Sequence, residues 1–85
     1  MQMINGSEWV KRLLQADMKR HGFTYATLAE KLNAIGEIEN ERNLRNKINR
    51  GNFSASFMVL CYIAMGVPLI RIFDPELMLH APAKP

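Results

Sequence analysis

Residues 41–51 read Glu41-Arg42-Asn43-Leu44-Arg45-Asn46-Lys47-Ile48-Asn49-Arg50-Gly51, and only Leu44 and Ile48 among them carry apolar side chains. Those two are four positions apart, so at about 100° per residue they share one helical face. Arg42, Asn43, Asn46, Asn49 and Arg50 fall on the other side, with Arg45 on the shoulder. Asn40 places a side-chain oxygen where the first orphan amides need one. Glu41 suits the positive end of the helix dipole, and Gly51 offers a left-handed stop. The pattern predicts a helix over Glu41 to Arg50 whose narrow apolar stripe must be covered by other elements.

The flanking sequence supplies that cover. Trp9, Val10, Leu13, Leu14 and Met18 recur at helical spacing, with Ser7 as the expected cap and Gly22 as the stop, giving a first helix over about residues 8 to 21. Thr24 caps a second helix from Tyr25 to Asn33 or Ala34, with Leu28, Leu32 and small Ala29 on its packing face. Ser54 caps a fourth from Ala55 to Met65, stopped by Gly66 and Pro68. Phe57 to Met65 is apolar all round, so this last helix needs cover on more than one side. Leu69, Ile70, Ile72 and Phe73 form a short β-prone run, and Asp74-Pro75 starts a helical turn over Glu76 to His80. The fold class expected is all-α, with four to five helices.

The chain has 85 residues, 48% of them hydrophobic and 22% charged, which suits one small globular domain and argues against disorder. The expected limits are a tail over 1–6, a single helical domain over 7–80 and a flexible tail over 81–85, where two prolines fall in five residues. Cys61 is the lone cysteine, so no internal disulfide forms, and it reads as a small core residue. His21 and His80 lie far apart and in no zinc-ligand pattern. No cofactor and no metal are expected. Met1 to Gly6 is neither basic nor apolar enough for a signal peptide, and the nine-residue apolar run falls short of the ~20 needed to span a bilayer, so a cytoplasmic setting is expected. A core this small favours oligomerisation as a staple.

The chemistry concentrates in the third helix. The chain carries 11 basic against 8 acidic residues, and four of the basic ones (Arg42, Arg45, Lys47, Arg50) lie between Arg42 and Asn52 with no acid among them. Arginine contacts guanine in a bidentate manner and asparagine does the same with adenine, so an Arg/Asn face on a short helix is what major-groove reading requires. Against this stands a simple solvated face. Asparagine is a poor helix former, however, and repeated asparagines are costly if they do nothing. Arg42, Arg45, Asn46 and Asn49 are the base-edge candidates, and Asn43 on the same face is a further DNA-binding candidate. Lys47, Arg50 and Asn52 are candidates for phosphates, as are Thr24 and Tyr25 at the start of the second helix. No glycine-rich phosphate loop and no Ser-His-Asp arrangement occurs, which makes an enzyme the least expected class.

Several stretches are similar to the phage-repressor and Cro-like helix-turn-helix family. They are Gly22-Phe23-Thr24, Leu28-Ala29-Glu30, Ile48-Asn49-Arg50-Gly51 and Ala64-Met65-Gly66-Val67, in the family's order over about residues 8 to 70. Small bacterial proteins of uncharacterised function resemble the chain more closely, sharing Asn46-Lys47-Ile48 and Arg50-Gly51 followed by Phe53-Ser54-Ala55. The resemblance implies a compact repressor-like DNA-binding domain and a role in transcription regulation. Three departures stand out. The segment from Leu32 to Gly51 is longer than the family norm, Tyr25 stands where the family often has a phosphate-contacting glutamine, and Asn49 replaces an acid.

Asp17 falls within the apolar arc of the first helix, and a buried carboxylate needs a partner. Arg45, Lys47 and Arg50 are the candidates, in a structural ion pair rather than a catalytic site. The expected partner of the protein is double-stranded DNA, read by a homodimer on paired half-sites. Phe57, Met58, Tyr62, Met65, Ile70, Ile72 and Phe73 are the candidate dimer or partner surface. In the alternative, a C-terminal segment covers the fourth helix within a monomer. A second functional reading is a protein-interaction module docking through that helix and the C-terminal segment. Few aromatic side chains flank the basic ones, which argues against RNA.

Overall fold

The computed structural model describes residues 5–73. Four helices follow one another: α1 (Gly6–Arg20), α2 (Tyr25–Ala34), α3 (Glu41–Arg50) and α4 (Ala55–Met65). No strand occurs among the described residues. Each helix starts on a side-chain oxygen that takes an orphan amide. Asn40 accepts from the Asn43 amide at 2.8 Å and Ser54 from the Phe57 amide at 3.0 Å. Thr24 and Thr27 cap each other reciprocally, at 3.1 and 2.9 Å. The start of α1 differs from expectation. Asn5 rather than Ser7 is the cap, accepting from the Glu8 amide at 3.1 Å, so α1 begins two residues early. Asparagine and serine cap about equally well, and the earlier of two competent caps lengthens the helix.

The apolar stripe of α3 lies at the centre of the molecule. Leu44 and Ile48 are fully buried, together with Leu14 and Met18 of α1, Leu28, Ala29 and Leu32 of α2, and Phe57, Cys61, Tyr62 and Met65 of α4. α2 packs against both α3 and α4, and α1 packs against α3. Each fully buried aliphatic side chain contributes about 1.5–3 kcal/mol, so two such anchors offset part of the cost of ordering a helix that is polar elsewhere, and its caps and backbone hydrogen bonds must supply the rest. The end of α3 is docked as tightly as its middle. Gly51 has φ 68° and its Cα faces the backbone of α1, such that an added Cβ would collide with the Ser7 carbonyl oxygen and stand 3.0 Å from the Ser7 carbonyl carbon.

Asp17 is buried as expected, but its partners are not on α3. Oδ2 accepts from the Tyr62 hydroxyl at 2.5 Å, and Oδ1 accepts from Arg20 Nη1 at 2.5 Å. The carboxylate therefore ties α1 to α4, and Arg45, Lys47 and Arg50 are not involved. A search for an opposite charge overlooks a neutral tyrosine hydroxyl, which reaches the carboxylate from within the core. Burial is the main cause that raises the Tyr62 phenol above its ordinary value, and the bond to Asp17 adds to it. Burial likewise pushes the Cys61 thiol up to about 12 from an ordinary 9.0, with Glu39 adding to the effect.

The apolar α4 is covered on most of its circumference. Phe57, Tyr62 and Met65 are buried in the core of the chain itself, which removes them from the expected dimer or partner surface. Met58 is half-buried, and the exposed side of α4 carries Val59 and Ile63 instead. Beyond Gly66 the β-prone run forms no strand, having no strand edge to pair with among the described residues. It returns to α1: Trp9 Nε1 donates to the Ile72 carbonyl at 2.8 Å, and the Trp9 and Phe73 rings lie 6.0 Å apart. Val67 and Ile70 pack on the core, whereas Leu69, Ile72 and Phe73 keep exposed surface. The expected turn over 74–80, the tail over 81–85 and most of the N-terminal tail lie outside the described residues.

Two outcomes follow from this packing. Gly51→Ala combines a left-handed backbone with a collision against Ser7, so it should destabilise the fold by more than about 2 kcal/mol. Gly66→Ala, at φ 74° with open space beside it, should cost about 1 kcal/mol. Urea melts of the two variants compare them directly. The raised Cys61 and Tyr62 groups make stability fall with alkali, because the unfolded chain releases these protons first. The loss begins above pH 9 with Cys61 and steepens above pH 10 with Tyr62, at about 1.4 kcal/mol per pH unit per proton. Urea midpoints measured from pH 8 to 11 should show this, and Cys61→Ala should abolish the pH 9–10 limb.

Candidate nucleic-acid interface

The side of α3 turned away from Leu44 and Ile48 is open. Arg42, Asn43, Asn46 and Arg50 are exposed, and their side chains make no hydrogen bond or ion pair among the described residues. Asn52, just past the Gly51 cap, is exposed in the same way. This is the polar face that the sequence placed opposite the stripe, and no acid interrupts it between Arg42 and Asn52. Ile38, Glu39, Asn43, Asn46, Lys47 and Arg50 line a shallow, open depression beside it.

The other two cations of α3 are engaged inside the molecule. Lys47 Nζ lies 2.6 Å from Glu39 Oε2, and the Glu39 side chain is only 4% exposed. The same ammonium stands 4.5 Å from the centre of the Phe57 ring. Glu39 is fixed from its other side, since Asn33 Nδ2 donates to its carbonyl at 2.8 Å and its amide donates to Asn33 Oδ1 at 3.0 Å. The long connection between α2 and α3 is therefore pinned at both ends: Asn33 imitates a neighbouring peptide, and Lys47 neutralises the buried carboxylate. Lys47, expected at a phosphate or at Asp17, is committed to this structural pair. Arg45 forms an ion pair with Glu41 at 2.6 Å, and its guanidinium carbon lies 5.2 Å from the centre of the Tyr25 ring. Both members of that pair are well exposed, so it contributes at most a few tenths of a kcal/mol.

The edge of the face nearest α1 and α2 carries a closed triangle of polar side chains. Gln15 Nε2 donates to Asn49 Oδ1 at 2.9 Å and to the Tyr25 hydroxyl at 3.1 Å, and that hydroxyl donates to Asn49 Oδ1 at 3.4 Å. Tyr25 thus stands half-buried between the two roles expected for it, its ring packed on the core and its hydroxyl at the interface edge. Thr24 is exposed, with its hydroxyl engaged in capping α2. Sequence patterning gave no sign of Gln15, Asn33 or Glu39. Their partners are 34, 6 and 8 positions away, and none belongs to a shared helical face.

Among the described residues no helix is long and apolar enough to cross a membrane, and no group of three metal-ligating side chains gathers. Residues 7–70 match the model of a domain of unknown function, DUF6471, and the chain belongs to that family. No curated protein and no solved structure matches the chain.

The two kinds of cation differ in what their loss should do. Lys47→Ala strands the buried Glu39 carboxylate and should cost about 1–3 kcal/mol. Arg42→Ala removes an exposed side chain without a partner and should stay within about 0.5 kcal/mol. Thermal melts followed by circular dichroism separate the two, and equal melting temperatures would contradict the structural role of Lys47.

Proposed function

We propose that this DUF6471 chain binds double-stranded DNA, laying α3 in the major groove, and that it acts as a small cytoplasmic transcription regulator of the helix-turn-helix kind. The observation that carries the proposal is the exposed Arg42, Asn43, Asn46 and Arg50 face, free of acids and of internal partners among the described residues. A polar helix face with several poor helix formers is destabilising unless it is used, and these residue types are the ones that address base edges and phosphates. Arg42 and Asn46 lie at the middle of the face and Arg45 and Asn49 at its edge, and these four address base edges. Arg50, Asn52 and the start of α2 at Thr24 flank it and suit phosphates. Double-stranded DNA is favoured over structured RNA because the deep, narrow major groove of A-form RNA does not admit a helix.

A ten-residue helix is about 15 Å long, enough to cover only a few base pairs. Specific binding therefore calls for two copies on paired half-sites. A second reading, a protein-docking module, draws on the exposed Val59 and Ile63 of α4, at 48% and 58%. Fluorescence anisotropy with mixed-sequence duplex at several salt concentrations discriminates between the two. The wild type should bind, with affinity falling steeply as salt rises. The Arg42→Ala/Arg50→Ala variant, checked for fold by circular dichroism, should bind more weakly, with a log–log salt slope shallower by about 1 for the lost Arg50 phosphate contact. Absence of binding at low salt, or unchanged binding by the variant, would overturn the proposal and leave the α4 surface as the functional one.

A further inference from the structure

Tyr25 touches two residues of α3 at once. Its ring lies under the Arg45 guanidinium, and its hydroxyl reaches Asn49 one helical turn later. Gln15, from α1, completes the hold on Asn49. A free asparagine offers an acceptor and a donor together, and that combination reads adenine through its N7 acceptor and N6 donor. Asn49 is not free. Its Oδ1 accepts from two donors on two other helices, while its Nδ2 makes no hydrogen bond among the described residues. What remains for a ligand is a donor alone. To accept from adenine or cytosine, Asn49 must give up bonds to both Gln15 and Tyr25.

We infer that Gln15 and Tyr25 are positioning residues that hold Asn49 as a donor-only reader of keto bases, next to a guanine-reading Arg45 stacked on the same tyrosine. The inference rests on the DNA-binding reading above and names the specificity it would have. Donor-only groups address guanine O6 and N7 or thymine O4. They are mismatched to cytosine, which shows only its N4 amino donor, and they reach adenine through N7 alone, without the second bond that a free asparagine makes to N6. Arg45 also presents only donors, in a fork suited to guanine. Its ion pair with Glu41 and its place over the ring fix the plane of that fork. The two residues are four apart, about 6 Å along the helix axis, so they address neighbouring base positions. The expected preference is guanine at one position and guanine or thymine, ahead of adenine and well ahead of cytosine, at a position close by.

The test is selection of bound duplexes from a randomised library by the full-length protein, followed by anisotropy on the selected site and its single-base variants. Asn49→Ala should erase the keto preference, worth about tenfold in affinity, at one position only. The Gln15→Leu/Tyr25→Phe variant removes both donors and keeps the ring under Arg45. It should favour adenine at that same position and keep the guanine set by Arg45. Circular dichroism confirms that each variant is folded, and a merely structural role would not move the preference at a single base. If the double variant selects the same bases as the wild type, or if Asn49→Ala relaxes no position, the inference is overturned while the DNA-binding reading stands. If the wild type binds no duplex, that reading fails first and this inference falls with it.

Discussion

The burial of Leu44 and Ile48 is the contact on which the remaining structure depends. α3 has ten residues, and apart from these two every side chain in it is polar or charged. Ten residues are too few for an isolated helix to persist in water, and asparagine lowers the propensity further. The helix therefore exists because α1, α2 and α4 close over two side chains and because its ends are held from outside. Asn40 takes the first orphan amide, and Gly51 lets the last turn rest on the backbone at Ser7. A helix held in this way can give its whole outer face to polar groups without loss of order. That is the structural condition for a rigid polar surface on so small a protein.

The same economy governs charge. The basic stretch of α3 counts four cations in sequence, yet two of them are neutralised by Glu39 and Glu41 from just outside it. The carboxylate that matters more is the hidden one. Glu39 is drawn inward by Asn33 and capped by Lys47, which converts a connection several residues long into a fixed strut between α2 and α3. Arg42 and Arg50 are left to face solvent at opposite ends of the helix, two residues beyond each anchor. A face with two fixed pairs at its flanks and two unpaired arginines has less net charge than its sequence suggests. It also has a better-defined shape, and shape is what base reading requires.

Much of this was legible beforehand. The caps of α2, α3 and α4, the stops at Gly51 and Gly66 and the sidedness of α3 follow from local rules, because capping and periodicity act within a few residues. What escaped is what spans helices. Asp17 was recognisable as buried, and its ion pair with Arg20, three positions on, was open to a local reading in place of the partners sought on α3, whereas Tyr62 lies 45 positions away and is neutral, so no charge pattern points to it. The burial of Phe57, Tyr62 and Met65 was equally hidden. In a helix apolar all round, sequence cannot tell which sides the rest of the chain will cover, and the uncovered strip proved to be Val59 and Ile63. The Gln15–Tyr25–Asn49 triangle joins three helices through residues that carry no pattern individually.

These non-local contacts also divide α3 into two kinds of position. At its edge nearest α2, Asn49 is held by Gln15 and Tyr25 and Arg45 lies over the Tyr25 ring, so part of their conformational freedom is spent before any ligand arrives. In the middle, Arg42, Asn43 and Asn46 are free to choose a rotamer on contact. Ordering a long polar side chain at an interface costs about 0.5–1.5 kcal/mol, so the held residues bind at lower cost but accept fewer partners. The free ones adapt and discriminate less. In the proposed DNA complex such a mixed surface would gain affinity broadly from its centre and selectivity from its edge, with the selectivity set through Gln15 of α1 and Tyr25 of α2. On the proposed reading the specificity of the face would be a property of the three-helix junction, not of α3 alone, and grafting α3 onto another scaffold would transfer its charge without its preference.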